Sequence, residues 1–162
     1  MSAVDAAPVN VHATAVVVGE VGLLITGPSG SGKSALALAI IHACSSHGTF
    51  ARLVADDRVW ITVKSGRVIA SAPAPIAGLI EIRGTGVVPL PHIQSAVLHH
   101  VLAPLGPERV PEEARMTFQD GVSLPILPLR YGEPAVAIAT LATSLGIFGS
   151  QPVTIQPFDR LM

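Results

Sequence analysis

The chain alternates between short apolar runs and small-residue punctuation, and the spacing of the two predicts most of its elements. Residues 11–19 (VHATAVVVG) and 21–27 (VGLLITG) are β-branched runs parted by Gly19 and Glu20, which predicts two strands joined as a hairpin. Residues 34–44 (SALALAIIHAC) are apolar on nearly every side, as in a buried helix rather than a merely amphipathic one. The helix is expected to end at residues 45–48, where Gly48 can take the left-handed cap conformation. ARLVADD (51–57) reads as a strand ending in two carboxylates, and VWITV (59–63) and RVIAS (67–71) as a second hairpin turning at Lys64, Ser65 and Gly66.

Beyond a proline-broken stretch at 72–78, LIEIRGTGVV (79–88) is strand-like around a Gly84-Thr85-Gly86 turn. Ile93, Val97 and Val101 recur at helical spacing between Pro91 and Pro104, predicting a helix over 92–102. A charged loop is expected over 106–115. The runs 114–119 and 122–129 flank Asp120-Gly121, the strongest short hairpin signal in the chain. A last apolar helix is expected over 135–145. Strands outnumber helices and several neighbours look antiparallel, so the pattern is α/β without plain βαβ alternation. The expected organisation is a flexible start over 1–9, a single domain over 10–149 and a loose tail over 150–162.

Composition narrows the classes. The 162 residues are 49% hydrophobic and 13% charged, which excludes intrinsic disorder of the whole chain and suits one domain with its own core. A net charge of -1 excludes a broadly basic surface, so no nucleic-acid partner is expected. Cys44 is the single cysteine, which excludes a disulfide framework and a multi-thiolate zinc site. The longest uncharged stretch, 134–158, is cut by Pro134, Gly146, Gly149 and Pro152, leaving too short an apolar core for a spanning helix. No Lys or Arg precedes Lys33, unlike a signal or transit peptide. The expected location is the cytoplasm, with no membrane partner.

Gly27-Pro28-Ser29-Gly30-Ser31-Gly32-Lys33-Ser34 fits G-x-x-x-x-G-K-[ST], after an apolar strand and before a helix. Such glycines let successive backbone N–H groups turn inward on an anion, reinforced by the positive end of the helix. Lys33 would reach the β- and γ-phosphates of a nucleotide, and the Ser34 hydroxyl would ligate Mg²⁺. Lys33 is one of only two lysines in the chain, the other being Lys64. Asp56 and Asp57 end a strand shortly after this loop. A phosphoryl-transfer site needs one carboxylate near the metal and gains from a second that accepts the hydroxyl proton.

Glu81 is a charge inside an apolar strand, where it needs a partner. Either it pairs with Arg83 on one strand face, or Glu81 lies near Mg²⁺ and Arg83 near phosphate. His12, in a strand-like run, is by itself either structural or catalytic. His42, His47, His92, His99 and His100 have no spacing that argues for a metal site.

Together these pieces resemble the C-terminal catalytic domain of the HPr kinase/phosphorylase family. The correspondence runs over about residues 10–142: His12, two strands, GPSGSGKS, LVADD and then LIEIRGTG, in the family's order. The EIRG-x-G run is the family's signature. The resemblance implies a phosphate-loop kinase domain of the HPr kinase and phosphoenolpyruvate carboxykinase type, with a mixed sheet, antiparallel hairpins and few helices. It implies ATP- and Mg²⁺-dependent phosphorylation of a serine on a small HPr-like phosphocarrier protein of a bacterial phosphotransferase system, with reverse phosphorolysis in the family. Asp56 would be the general base, tuned by His12. Asp57 and Glu81 would support the metal, and Arg83 and Arg130 would contact phosphate.

The sequence departs from the family in three ways. The family's N-terminal domain is not matched, the stretch between Glu81 and Leu127 is short, and Glu133 stands where the segment around Arg130 carries a second basic residue in the family. Arg109 and Arg115 are candidates for the missing basic contact. A homo-oligomer is left open. Two alternative readings also remain: a nucleotide-binding regulatory module with little transfer, and a small-molecule kinase.

Overall fold

A computed structural model of the chain describes residues 6–107 and 113–148. Twelve strands and two helices follow one another as β1 (Val9–Val11), β2 (Thr14–Val18), β3 (Val21–Ile25), α1 (Lys33–Ser46), β4 (Ala51–Ala55), β5 (Val59–Lys64), β6 (Arg67–Ser71), β7 (Leu79–Ile82), β8 (Gly86–Pro89), β9 (Ser95–Leu98), β10 (His100–Pro104), β11 (Ala114–Thr117), β12 (Ser123–Leu129) and α2 (Pro134–Leu145). A six-stranded sheet has the order β11-β12-β10-β3-β2-β4, a four-stranded sheet the order β1-β5-β6-β9, and β7 pairs with β8 alone. The large sheet is mixed. β10 runs parallel to both β3 and β12, while β2 lies antiparallel to β3 and β4.

The central strands are apolar throughout because the large sheet is covered on both faces. Val16, Val18, Leu23 and Ile25 share one core with Leu36, Ile40 and Cys44 of α1 and Leu141 of α2. Ala15, Val17 and Leu24, from the alternate positions, share a second core with Ile61, Val63 and Val68 of the small sheet. α1 is accordingly buried along Leu36, Ala37, Ile40, Ile41 and Cys44. It is not buried all round, however: Ala35 and His42 are exposed, on a side that faces a cleft. Burial within the apolar core also pushes the Cys44 thiol pKa up.

All three expected hairpins form. The two-residue connections carry Gly19 and the Ser65-Gly66 pair at positive φ, matched to strand twist. The third hairpin turns more widely, through a 3-10 turn over Gln119–Gly121 with Asp120 and Gly121 at positive φ. The helix expected over 92–102 does not form; the segment makes β9 and β10. Positions four apart satisfy both the helical period and the strand period of two. Pairing decided between them, since β9 adds to β6 and β10 inserts between β3 and β12. Val9, inside the start expected to be flexible, belongs to β1 and lies opposite Ile61. The tail over 150–162 and Arg109 lie outside the described residues.

The small sheet crosses to the large one at His99. Its backbone N–H donates to the Gly22 carbonyl (2.8 Å), and the Gly22 N–H donates to His99 Nδ1 (2.9 Å). A side chain on Gly22 would overlap the Val97 carbonyl, so glycine is required here for close approach rather than for a turn. Gly22→Ala is expected to destabilise the fold by about 1–3 kcal/mol. Urea unfolding measures this, and an unchanged midpoint would contradict the tight crossing.

Candidate active site

β3 ends at Ile25 in the middle of the large sheet, and the glycine-rich loop 27–32 carries the chain from there into α1. The strand end is tied down by its neighbours. The Thr26 N–H and hydroxyl both donate to the Leu102 carbonyl, and the Tyr131 hydroxyl donates to the Thr26 carbonyl at 2.7 Å. Burial pushes the Tyr131 phenol well above the ordinary tyrosine range, so it stays a donor. Gly32 caps the helix at φ 98°, a conformation that non-glycine residues rarely adopt. The first bond within the helix runs from Leu36 N–H to the Gly32 carbonyl, and no acidic residue sits in the first turn. The first-turn amides and the positive end of α1 are therefore available to an anion.

Lys33 is buried, at 7% exposure, and folds back on its own loop, with Nζ donating to the Gly27 and Pro28 carbonyls at 3.0 Å each. Two carbonyl dipoles hold the ammonium at the mouth of the loop. Arg83 approaches from the other wall, its Nη2 lying 3.7 Å from where a Cβ on Gly30 would sit. Two cations thus flank the loop.

The adjacent carboxylates face different surroundings. Asp56 is 6% exposed. Its Oδ1 accepts from the Thr14 hydroxyl (2.9 Å) and the Ser34 hydroxyl (2.7 Å), and its Oδ2 from the Glu81 backbone N–H (3.1 Å). Asp57 sits at φ 68° with a largely exposed side chain. That left-handed turn, tolerated by Asp and Asn better than by most residues, sends the two side chains apart. His12 Nδ1 lies 3.1 Å from both the carboxylate and the carbonyl of Asp57. The expectation that His12 tunes Asp56 is therefore corrected: the imidazole addresses Asp57.

One cavity of about 700 Å³ gathers His12, Lys33, Ser34, Asp57, Glu81 and Arg83. Asp56 lies just beneath it, bonded to Ser34 and the Glu81 backbone. Glu81 and Arg83 both line the cleft, and Arg83 stands in the turn after β7 rather than on the strand. Arg130 does not line it. Its Nη1 donates to Glu133 Oε1 at 3.1 Å on the exposed turn after β12. Glu133, the residue that departs from the family pattern, thus engages the neighbouring guanidinium. Arg115 is also elsewhere, bonded to the Ser123 hydroxyl and carbonyl.

Three participants were not picked out by sequence reasoning. Thr14 is a fully buried hydroxyl within an apolar strand, a signal that was available. Tyr131, whose hydroxyl ties down the Thr26 carbonyl, and the outer face of α1 gave none. Among the described residues no group of three or more His, Cys, Asp or Glu side chains forms a metal cage. Mg²⁺ does not require one, because it binds through one or two protein oxygens with substrate phosphates and water. The hydroxyl of Ser34 and the carboxylate of Asp56 are oxygen donors of the type it takes. No helix among the described residues is long and apolar enough to cross a membrane.

Known proteins share this fold and part of this sequence. A curated HPr kinase/phosphorylase of Clostridium tetani is 42% identical over 84 residues, covering 52% of this chain and 26% of the relative. The HPr kinase/phosphorylase of Lactobacillus delbrueckii subsp. bulgaricus is 42% identical over 80 residues, covering 49% and 23%. The chain thus matches about a quarter of the length of these relatives. The structure of the Hpr(Ser) kinase/phosphatase from Coxiella burnetii superposes with a TM-score of 0.67 at 25% identity, covering 82% of this chain and 93% of that one. The mixed sheet with antiparallel hairpins and two helices is the architecture that the resemblance implied. The family model for the HPr serine kinase C-terminal domain matches residues 5–96. With more than half of its length matched, the chain belongs to the HPr serine kinase C-terminal domain family.

Proposed function

We propose that this chain binds ATP with Mg²⁺ and transfers the γ-phosphoryl group to a serine hydroxyl on a small HPr-like phosphocarrier protein of a bacterial phosphotransferase system. The observation that carries this reading is the pairing at the cleft: a buried carboxylate, Asp56, bonded to the loop hydroxyl of Ser34, beside an exposed one, Asp57, held by His12. Phosphoryl transfer asks for these two functions from two separate groups.

Lys33 leaves the Gly27 and Pro28 carbonyls to meet the β- and γ-phosphates, and Arg83 adds a second positive group over the loop. Ser34 would hold Mg²⁺, its hydroxyl oriented by Asp56, with Glu81 beside it; when bound, the ion neutralises charge on the phosphates. Asp57 is the proton acceptor in this reading, in place of Asp56, because Asp56 already receives three hydrogen bonds while Asp57 is open to the cleft. His12 is a positioning residue that orients the Asp57 carboxylate. As the seryl oxygen bonds to the γ-phosphorus, the bridging bond to the β-phosphate breaks. ADP leaves, and the seryl proton passes to Asp57. The Arg130–Glu133 pair takes a basic group out of play, which favours the forward reaction over phosphorolysis.

Incubation with Mg-ATP and a purified phosphocarrier, followed by mass spectrometric mapping, tests the reading. Phosphate on a carrier serine is the expected outcome. Tight ATP binding without transfer would instead favour a nucleotide-binding regulatory module, and label on a small metabolite a small-molecule kinase.

A further inference from the structure

The cleft extends well beyond the phosphate loop. Its 700 Å³ runs on along the outer face of α1, past Ala35 to Leu38, Ala39 and His42, with Ile82 of β7 also in the lining. These helix positions are spaced i, i+3, i+4 and i+7 and so form one face, about 10 Å long from Ala35 to His42. Leu38 and Ile82 each pack part of their surface into the core and turn the rest to the cleft.

The phosphate loop gives this face a direction. The Lys33 ammonium, at the Gly27 and Pro28 carbonyls, marks the β/γ end of a bound triphosphate. The free first-turn amides, ending before the bonded N–H of Leu36, mark the end nearer the α-phosphate. The next group along a nucleotide then falls beyond Ala35. An attacking hydroxyl, by contrast, must approach in line from the side opposite the leaving group, the side assigned above to Asp57, which His12 orients.

We infer that the outer face of α1 is the nucleoside subsite of this nucleotide-binding cleft. Leu38, Ala39 and Ile82 are its apolar bed, and His42 is its polar contact to the sugar or base. This rests on the phosphate-loop reading proposed above and assigns the cleft's remaining half. Apolar walls with one convergent polar group are the usual make-up of a small-molecule site.

Inorganic tripolyphosphate, which lacks the nucleoside, separates the two halves. Calorimetry on the wild-type chain is expected to find Mg-ATP bound more tightly than Mg-tripolyphosphate. Ala39→Leu, which adds bulk to the bed, is expected to weaken ATP about tenfold or more and leave tripolyphosphate within about twofold. His42 is exposed, so His42→Ala tests the same point without disturbing the core, and it is expected to weaken ATP about threefold. Unchanged ATP affinity in both variants, with a raised KM for the protein acceptor, would overturn the inference and make the face an acceptor groove. Equal weakening of both ligands would overturn it too. A wild-type chain that binds neither ligand would bring down the phosphate-loop reading itself, a distinct result.

Discussion

Asp57→Asn is expected to lower phosphoryl transfer by about three orders of magnitude while leaving ATP affinity within a few-fold of wild type. The substitution is clean because Asn tolerates the positive φ at this position nearly as well as Asp. It also retains an oxygen able to accept from His12 Nδ1. What it removes is the capacity to take a proton. Asp56→Asn should behave differently. An amide in place of that carboxylate puts an NH₂ against a buried set of three donors, from Thr14, Ser34 and the Glu81 backbone, which costs about 1–3 kcal/mol for the lost pairing. Stability and Mg²⁺-dependent nucleotide binding should both fall with it. Transfer assays and ATP titrations on the two variants separate the roles. Full transfer by Asp57→Asn would move the base elsewhere.

Lys33→Ala should remove transfer and weaken ATP binding together. The ammonium is buried and held by two carbonyl oxygens of its own loop, so a phosphate oxygen can displace them with little rearrangement. Loss of one such charged donor typically lowers the chemical step by about a hundred- to a thousandfold. Because the same group contacts the ground-state phosphates, affinity should drop as well, unlike the Asp57→Asn case. Titration with ATP measures this, and an unaltered dissociation constant would contradict the assignment of the loop.

Much of the fold was legible because its punctuation is local. Gly19, Ser65-Gly66 and Asp120-Gly121 specify turns whose chemistry reads directly from residue type. The phosphate loop was legible for the same reason. The segment from His92 to Leu102 was not, because spacings of four fit either period and the choice was made by β3, β6 and β12, which lie elsewhere in the chain. The site shows the same division. Lys33, Ser34, the Asp pair, Glu81, Arg83 and His12 were all picked out, and the structure brings them to one place. Which aspartate faces inward depends on a single backbone angle at Asp57, and no residue count supplies it. Arg130 was expected at phosphate, but an acidic neighbour three positions on holds it on the outer turn.

The two banks of the cleft are anchored unequally. One grows from β3, flanked by strands on both sides and packed above and below. The other, bearing Glu81 and Arg83, is a lone ribbon of two strands with Val87 standing 62% exposed beside its tip. The ribbon is tied to the first bank where Ile80 enters the core and the Glu81 N–H meets Asp56 Oδ2. Substitutions at its outward edge, as at Val87, should therefore leave the anion cradle opposite unchanged.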